Sequence, residues 1–278
     1  MSNLSDIKRR LTTVKQTRQI TGAMQTVSVA KMRKAAEIAG RSQVYLTLIT
    51  DIMRMASATD CGFSVQADGK DVLLVISSDR GLCGGFDSAI FAIAEKAIDD
   101  NTLVMPIGQT AVNYFKGAKN VDLRFSHLQS ADGGAKEITD YLLNEYSGGI
   151  KSISVAYSTF GKQNCPTVER LLPIEKVQNN VANAQVLLEP SPQDVLNALV
   201  PLYLLGKIYG AICSNSAAEH SARHSAMTTA TESADALILQ LTSEYNRERQ
   251  AAVTGQIVEI AGATSALSRK GAGSEKRS

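Results

Sequence analysis

The sequence predicts an α/β chain: long N- and C-terminal helices that pair as an antiparallel coiled coil, plus a central Rossmann-like α/β domain. Three observations lead there. The chain has 278 residues and six prolines, none before Pro106 and none after Pro201, so both ends lack the residue that costs a helix interior about 3 kcal/mol. At both ends apolar residues recur every three or four positions. Between them, short apolar runs alternate with short helical patterns. Composition agrees, since 44% hydrophobic and 20% charged residues exclude a disordered or collagen-like chain, and 5% aromatics without Trp are thin for a β-sandwich.

Taken in order, residues 4–58 read as one helix, because Leu4, Ile7, Leu11, Val14, Ile20, Met24, Val27 and Ala30 mark one face and Asn3 or Ser5 can cap it. At 1.5 Å per residue such a helix spans about 80 Å, more than one globular domain needs. Gly22 and Gly40 are its only breaks, where a bend or a close helix contact is expected. Residues 71–77 (DVLLVIS) read as a buried strand, 88–98 as a helix, 103–108 as a strand and 110–115 as a short helix. A strand over 121–125, a helix over 135–146, a strand over 150–157 and an edge strand over 166–174 complete a largely parallel sheet. The C-terminal stretch carries a second stripe, Ala230, Ala234, Leu237, Leu241, Tyr245, Ala252, Ile257 and Ile260. Neither terminal stripe is wide enough to stand alone in water, so the two helices are expected to pair. The resulting division is a shaft helix over 1–60, an α/β domain over 61–190, a second shaft helix over 191–268 and a disordered polar tail over 269–278.

Charge is uneven. Residues 1–50 hold nine Lys/Arg against two Asp/Glu, whereas 51–200 hold twelve against eighteen, so the N-terminal arm suits an acidic partner. Nucleic acid is the alternative to an acidic protein surface, but the basic face of Lys8, Arg9, Lys15, Arg18, Lys31, Arg33, Lys34 and Arg41 has no aromatic platform before Tyr45, which favours protein. The four cysteines, Cys61, Cys83, Cys165 and Cys213, form no C-x-x-C pair and fit a reducing compartment as small buried thiols. Residues 1–10 lack the apolar core of a signal peptide, and the uncharged run 195–206 is too short to span a bilayer, so direct membrane insertion is not expected.

Three motifs bear on chemistry. The run 77–87 (SSDRGLCGGFD) follows a strand and opens a helix, where backbone N–H groups can hold a phosphate. It matches neither G-x-x-x-x-G-K-[ST] nor G-x-G-x-x-G, so a tight strand-to-helix turn is the plainer reading, and no cofactor is expected. His220 and His224, four apart on a helix, could share a metal with a third ligand, yet none is evident and Glu219 and Arg223 at the same spacing suit a surface ion pair. No Ser/His/Asp, Cys/His or paired-carboxylate pattern argues for catalysis by the chain itself.

Several stretches together resemble one family. They are 7–10 (IKRR), 17–24 (TRQITGAM), 27–34 (VSVAKMRK), 78–86 (SDRGLCGGF), 226–232 (AMTTATE), 245–254 (YNRERQAAVT) and 259–263 (EIAGA), in the order and spacing of the gamma subunits of F-type, bacterial-type ATP synthases. The resemblance implies a noncatalytic rotor shaft that couples ion flow through a membrane c-ring to conformational changes in the alpha/beta catalytic hexamer. Implied partners are the alpha and beta subunits, the epsilon subunit and the c-ring, with no nucleic acid. The implied place is peripheral, on the cytoplasmic face of the bacterial inner membrane.

By the same resemblance Arg249, Gln250 and Thr254 correspond to a latch on a catalytic-subunit loop, Met24, Lys31 and Lys34 to contacts on the opposing helix, and Arg80 and Cys83 to a central-domain loop near an acidic lobe. No catalytic, cofactor or metal residue is implied. The chain departs from the family at Gln256, where Glu is common, at Asp87 and Ser233, where Asn is, and near Ser243 and His224, where Leu and Met are. The cysteine-bearing insertion of chloroplast gamma subunits is missing, which argues against thiol control.

Overall fold

The structure, a computed structural model, describes residues 2–56, 69–126, 128, 131–147, 149–161, 164–173, 189 and 191–274. The elements in chain order are α1 (Ser2–Ala56), β1 (Lys70–Ile76), α2 (Phe86–Lys96), β2 (Thr102–Ile107), α3 (Gln109–Phe115), α4 (Ala131–Ser147), β3 (Ile150–Thr159), β4 (Cys165–Leu172) and α5 (Pro192–Ser274). The chain falls into two compact units, 26–226 and 1–25 with 227–278. The inner stretches of both terminal helices therefore belong with the sheet, whereas the sequence reading gives them wholly to a shaft.

In the first unit the sheet order is β2-β1-β3-β4. β1 pairs in parallel with β2 and with β3, and β4 runs antiparallel at the edge of β3. Because β1 lies inside the sheet with helices on both faces, its run is apolar throughout rather than alternating. Val72, Leu74 and Ile76 point into a core closed by Ile138 and Leu142 of α4 and by Val200, Leu204 and Ile208 of α5. Leu73 and Val75 point the other way, onto Phe86, Ile90 and Phe91 of α2 and Phe115 of α3.

The strand expected over 121–125 does not form. Val121 makes a single isolated parallel bridge to Val104. Asn120 before it has a positive φ of 59°, and the Asp122 carboxylate accepts the Arg124 N–H at 3.0 Å, so local polar bonds turn the chain before a ladder can extend. Phe125 still reaches the core.

α5 starts sharply. Ser191 caps it, accepting the Asp194 N–H at 3.2 Å and donating its hydroxyl to the Asp194 carboxylate at 2.6 Å, with Pro192 at the first helical position. Pro201 then lies inside the helix. That costs about 3 kcal/mol, and the burial of Val200, Leu204 and Ile208 offsets it. Within this unit α1 and α5 approach closely at Gly206 and Gly210, not at Gly40, whose surroundings are open. A Cβ on Gly206 would lie 2.8 Å from the Tyr45 ring, and one on Gly210 would lie 3.0 Å from Leu46 and Ser42.

In the second unit the ends of α1 and α5 pair antiparallel. Thr231 donates to the Thr21 hydroxyl at 2.8 Å, Gln25 donates to Thr228 at 3.0 Å, and Arg18 meets Asp235 at 3.0 Å. The seam between these bonds is made of short side chains, with Thr21 and Ala234 buried, and Ile7 and Met227 add apolar contact. The expected stripes are only partly used for pairing: Ile20 is 61% exposed, Leu237 48% and Ile260 68%. Small residues let the backbones approach, and the larger apolar side chains are left facing outward. α5 continues to Ser274, into the stretch 269–278 read as a disordered tail.

Gly108, at the start of α3, has φ 94° and ψ 143°, and a Cβ there would lie 2.7 Å from the Ser77 carbonyl oxygen. Gly108→Ala is expected to lower stability by about 2 kcal/mol, because backbone rather than a flexible side chain must move. Gly40→Ala, on an open helix surface, is expected to raise it by about 1 kcal/mol. Urea unfolding of the full chain followed by circular dichroism checks both signs.

Candidate functional site

The most structured polar region lies where β1 ends. Ser77 and Ser78 are buried there, and the chain then swings outward through residues 79–85 before α2 begins. Asp87, in the first turn of α2, ties the root of this loop. Its carboxylate accepts the Ser78 N–H at 2.9 Å, the Ser78 hydroxyl at 2.6 Å and the Cys83 thiol at 3.2 Å. An acidic side chain at that place also meets the positive end of the helix dipole. Within the run read as a strand-to-helix turn, this carboxylate is thus the acceptor that fixes Ser78 and Cys83.

The tip of the loop is held from α5. Arg223 is 7% exposed, and its Nη2 donates to the carbonyl oxygens of Arg80 at 2.6 Å and Gly81 at 3.3 Å. The same guanidinium pairs with Glu219 at 2.7 Å and faces His220 Nδ1 at 3.1 Å. The carbonyls of Arg80 and Gly81 thus take a cation on the loop's inner side. Its outer side is Arg80 and Leu82; Leu82 is 63% exposed with φ 67°, an unusual conformation for a residue with a branched side chain.

Glu219 and Arg223 do form the ion pair that their spacing suggests, but it is buried rather than solvated. Arg223 thus engages both Glu219 and the Nδ1 of His220. Among the described residues no group of three His, Cys, Asp or Glu could hold a metal. Burial pushes the Glu219 carboxyl up, with Arg223 pulling it back, and burial likewise raises Asp79 against the Gln109 N–H and Arg80. His220 is pushed down to about 4, first by burial and then by Arg223 and Lys31, so its imidazole is neutral and accepts from Arg223. The Cys83 thiol is pushed up to about 11, chiefly by burial and then by Asp87.

Behind the loop is a cavity of about 350 Å³ whose walls include Lys31, Asp79, Arg80, Glu219, His220 and Arg223. The structure thus brings two residues of the sequence-derived set, Lys31 and Arg80, to one place. Lys34 is exposed on α1 and is not among those walls. Cys83 is buried and turned to Asp87, so the loop's outer face belongs to Arg80 and Leu82 instead. Met24, half-buried, lies in the other unit beside the Thr21 and Gln25 bonds. Arg249, Gln250 and Thr254 are exposed farther along α5 in that unit, about 30 Å from the level of Met24 at 1.5 Å per residue.

The sequence reading missed the role of Arg223 beneath the loop. A signal was present, because Ala217 and Ala218 beside Glu219 mark that face of α5 as one that packs.

A family described as ATP synthase matches residues 3–267. The ATP synthase gamma chain of Fusobacterium nucleatum is 34% identical over 283 residues, covering 96% of this chain and 100% of that one. The gamma chain of Pelotomaculum thermopropionicum matches at 34% over the same shares. Among solved structures, an assembly of the Euglena gracilis mitochondrial ATP synthase containing F1 and the c-ring aligns at TM-score 0.67 and 14% identity, over 96% of this chain and 95% of that one. The central stalk and c-ring structure from Tetrahymena thermophila aligns at 0.59 and 20%, over 76% and 99%. Long terminal helices with a small parallel-sheet domain between them in sequence are the fold class of these central stalks. The chain belongs to the ATP synthase family, as a gamma chain.

The pH response of the buried cluster has a definite sign. The His220 pKa is lower folded, about 4, than its ordinary 6.5, so its contribution is complete above about 6.5 and is lost as pH falls towards about 4. Glu219 and Asp79, both raised, run the opposite way. His220→Gln is therefore expected to flatten the loss of stability on acidification across that window. Urea midpoints of the two proteins at stepwise lower pH check it; parallel curves would contradict the assignment.

Proposed function

We propose that the chain is the central rotor shaft of an F-type ATP synthase, coupling ion flow through a membrane c-ring to conformational change in an alpha/beta hexamer. As a gamma chain it is a noncatalytic central-stalk subunit of that complex. The observation that carries the proposal is the family match over residues 3–267. The outward-facing apolar residues of the paired helix ends support it, since Leu239, Ile257, Val258 and Ile260 are all exposed on α5 and suit a helix that works inside other subunits.

The physics is that of differential contact. A stiff, asymmetric surface turned inside identical subunits stabilises a different conformation of each, and the coupling is the difference in contact free energy between those states. In this reading Arg249, Gln250 and Thr254 form the latch on a catalytic subunit. Their exposed polar groups can make bonds that break and re-form as the shaft turns. Met24, Lys31 and Lys34 add contacts from α1. Arg80 offers a cation to an acidic surface of the catalytic subunits.

The further partners in this reading are the epsilon subunit and the c-ring. The complex is membrane-associated, and no helix among the described residues is long and apolar enough to cross a membrane. We place the chain peripherally, on the cytoplasmic face of a bacterial membrane.

Mixing the chain with cognate alpha and beta subunits is expected to yield a complex of one copy per three alpha/beta pairs that hydrolyses ATP only when assembled. Lack of association, or turnover by the chain alone, would overturn the reading. In the assembled enzyme, replacing Arg249 and Gln250 together with Leu is expected to lower coupled ATP synthesis severalfold while the isolated chain keeps its circular dichroism. Synthesis at the parental rate would remove the latch from those two residues.

A further inference from the structure

We infer that Arg223 is a positioning residue for the exposed 79–85 loop: from beneath, it sets the backbone that presents Arg80 and Leu82 to a partner. The inference rests on the reading above that this loop meets an acidic surface of another subunit. It concerns a residue on α5 that is itself buried beneath the loop.

Four observations converge. First, burying a guanidinium is costly unless its donors are engaged. Here one cation is shared among the Glu219 carboxylate, the His220 ring and the two loop carbonyls. Second, the loop is tied to the body at its root by Asp87 and by the Gln109 N–H on the Asp79 carboxylate, and at its tip by Arg223. Third, the space behind the tip is a cavity of about 350 Å³ rather than packed core, so without Arg223 the carbonyls of Arg80 and Gly81 would face a hollow and the loop would have room to move. Fourth, Leu82 keeps a φ of 67° while largely exposed, and such a conformation persists only where the surroundings impose it.

A preset loop matters for binding because ordering a flexible segment subtracts from the affinity it gains. Arg223 removes that cost in advance. Lys at this position would keep the charge but, as a single ammonium, could not span two carbonyls, a carboxylate and an imidazole in a fixed plane. Arg223→Lys therefore separates geometry from charge.

Hydrogen exchange on the full chain tests the tether without reference to function. In Arg223→Lys the amides of residues 80–86 are expected to exchange at least tenfold faster, with those of β1 and β3 unchanged. Unchanged loop exchange would overturn the inference whatever the loop does in the complex. If Arg223→Lys does not fold, Glu219→Gln, which removes the carboxylate that anchors the guanidinium but keeps an acceptor, is expected to speed the same amides two- to threefold. No change there would count equally against it.

Coupled ATP synthesis by the assembled enzyme tests the consequence. Arg80→Ala and Arg223→Lys are each expected to lower it severalfold, and the double variant little further, because both act through one loop. Fully multiplicative losses would show that Arg223 acts elsewhere and sink the inference. Loss in neither single variant, despite faster loop exchange, would instead remove the loop from the partner contact, and with it this consequence.

Discussion

Burial of β1 on both faces is the constraint from which the α/β unit follows. Five successive apolar residues, Val72 to Ile76, are paired on both edges and covered above and below. At about 1.5–3 kcal/mol for each fully buried side chain, this run contributes more than any other five-residue stretch among the described residues of the unit. The end of that strand fixes Ser77 and Ser78, and the parallel register with β2 sets Ile107 beside Ile76 and so brings Gly108 against Ser77. The loop after Ser78 leaves the sheet from an immovable base. Everything that Asp87 and Arg223 hold is held relative to it.

Element identity was legible in the sequence wherever one period dominated. The proline-free ends read as helices, and the apolar runs at 71–77 and 150–157 as buried strands, because backbone bonding and apolar pattern agree there. The run at 121–125 misled because its pattern is that of a strand while Asn120 and Asp122 impose turn geometry. The stripes through Ile20, Leu237 and Ile260 show a different limit. Periodicity reveals which residues share a helix face, not whether that face meets the chain itself or another protein, and the close approach at Gly206 and Gly210 depends on register that no single helix contains. The site was less legible still. The four-residue spacing of Glu219 and Arg223 gave the pair, but burial, which turns a surface ion pair into a tether, comes from elements far away in the chain.

Two kinds of contact divide the work among the helices. In the unit that contains the sheet, α1 and α5 are fixed by large apolar side chains such as Leu46, Ile49 and Leu204. In the other unit hydroxyls, an amide and one half-exposed ion pair hold them. Bonds of that kind contribute about 1 kcal/mol each, and the exposed ion pair less. Apolar surface not spent on internal pairing remains available for contact with other subunits, which is what a protein that transmits force by touch requires. The basic N-terminal arm adds attraction to acidic neighbours without demanding a particular fit.

The state of Cys83 bears on how durable such a surface is. With its thiol raised to about 11, only about one molecule in ten thousand carries a thiolate at neutral pH, and the thiolate is the form that peroxide and electrophiles attack. The sulfur lies within the loop but is shielded by burial and by the negative charge of Asp87. Oxidative stress that inactivates exposed, acidic cysteines would pass this one by, and the loop that holds it would keep its shape.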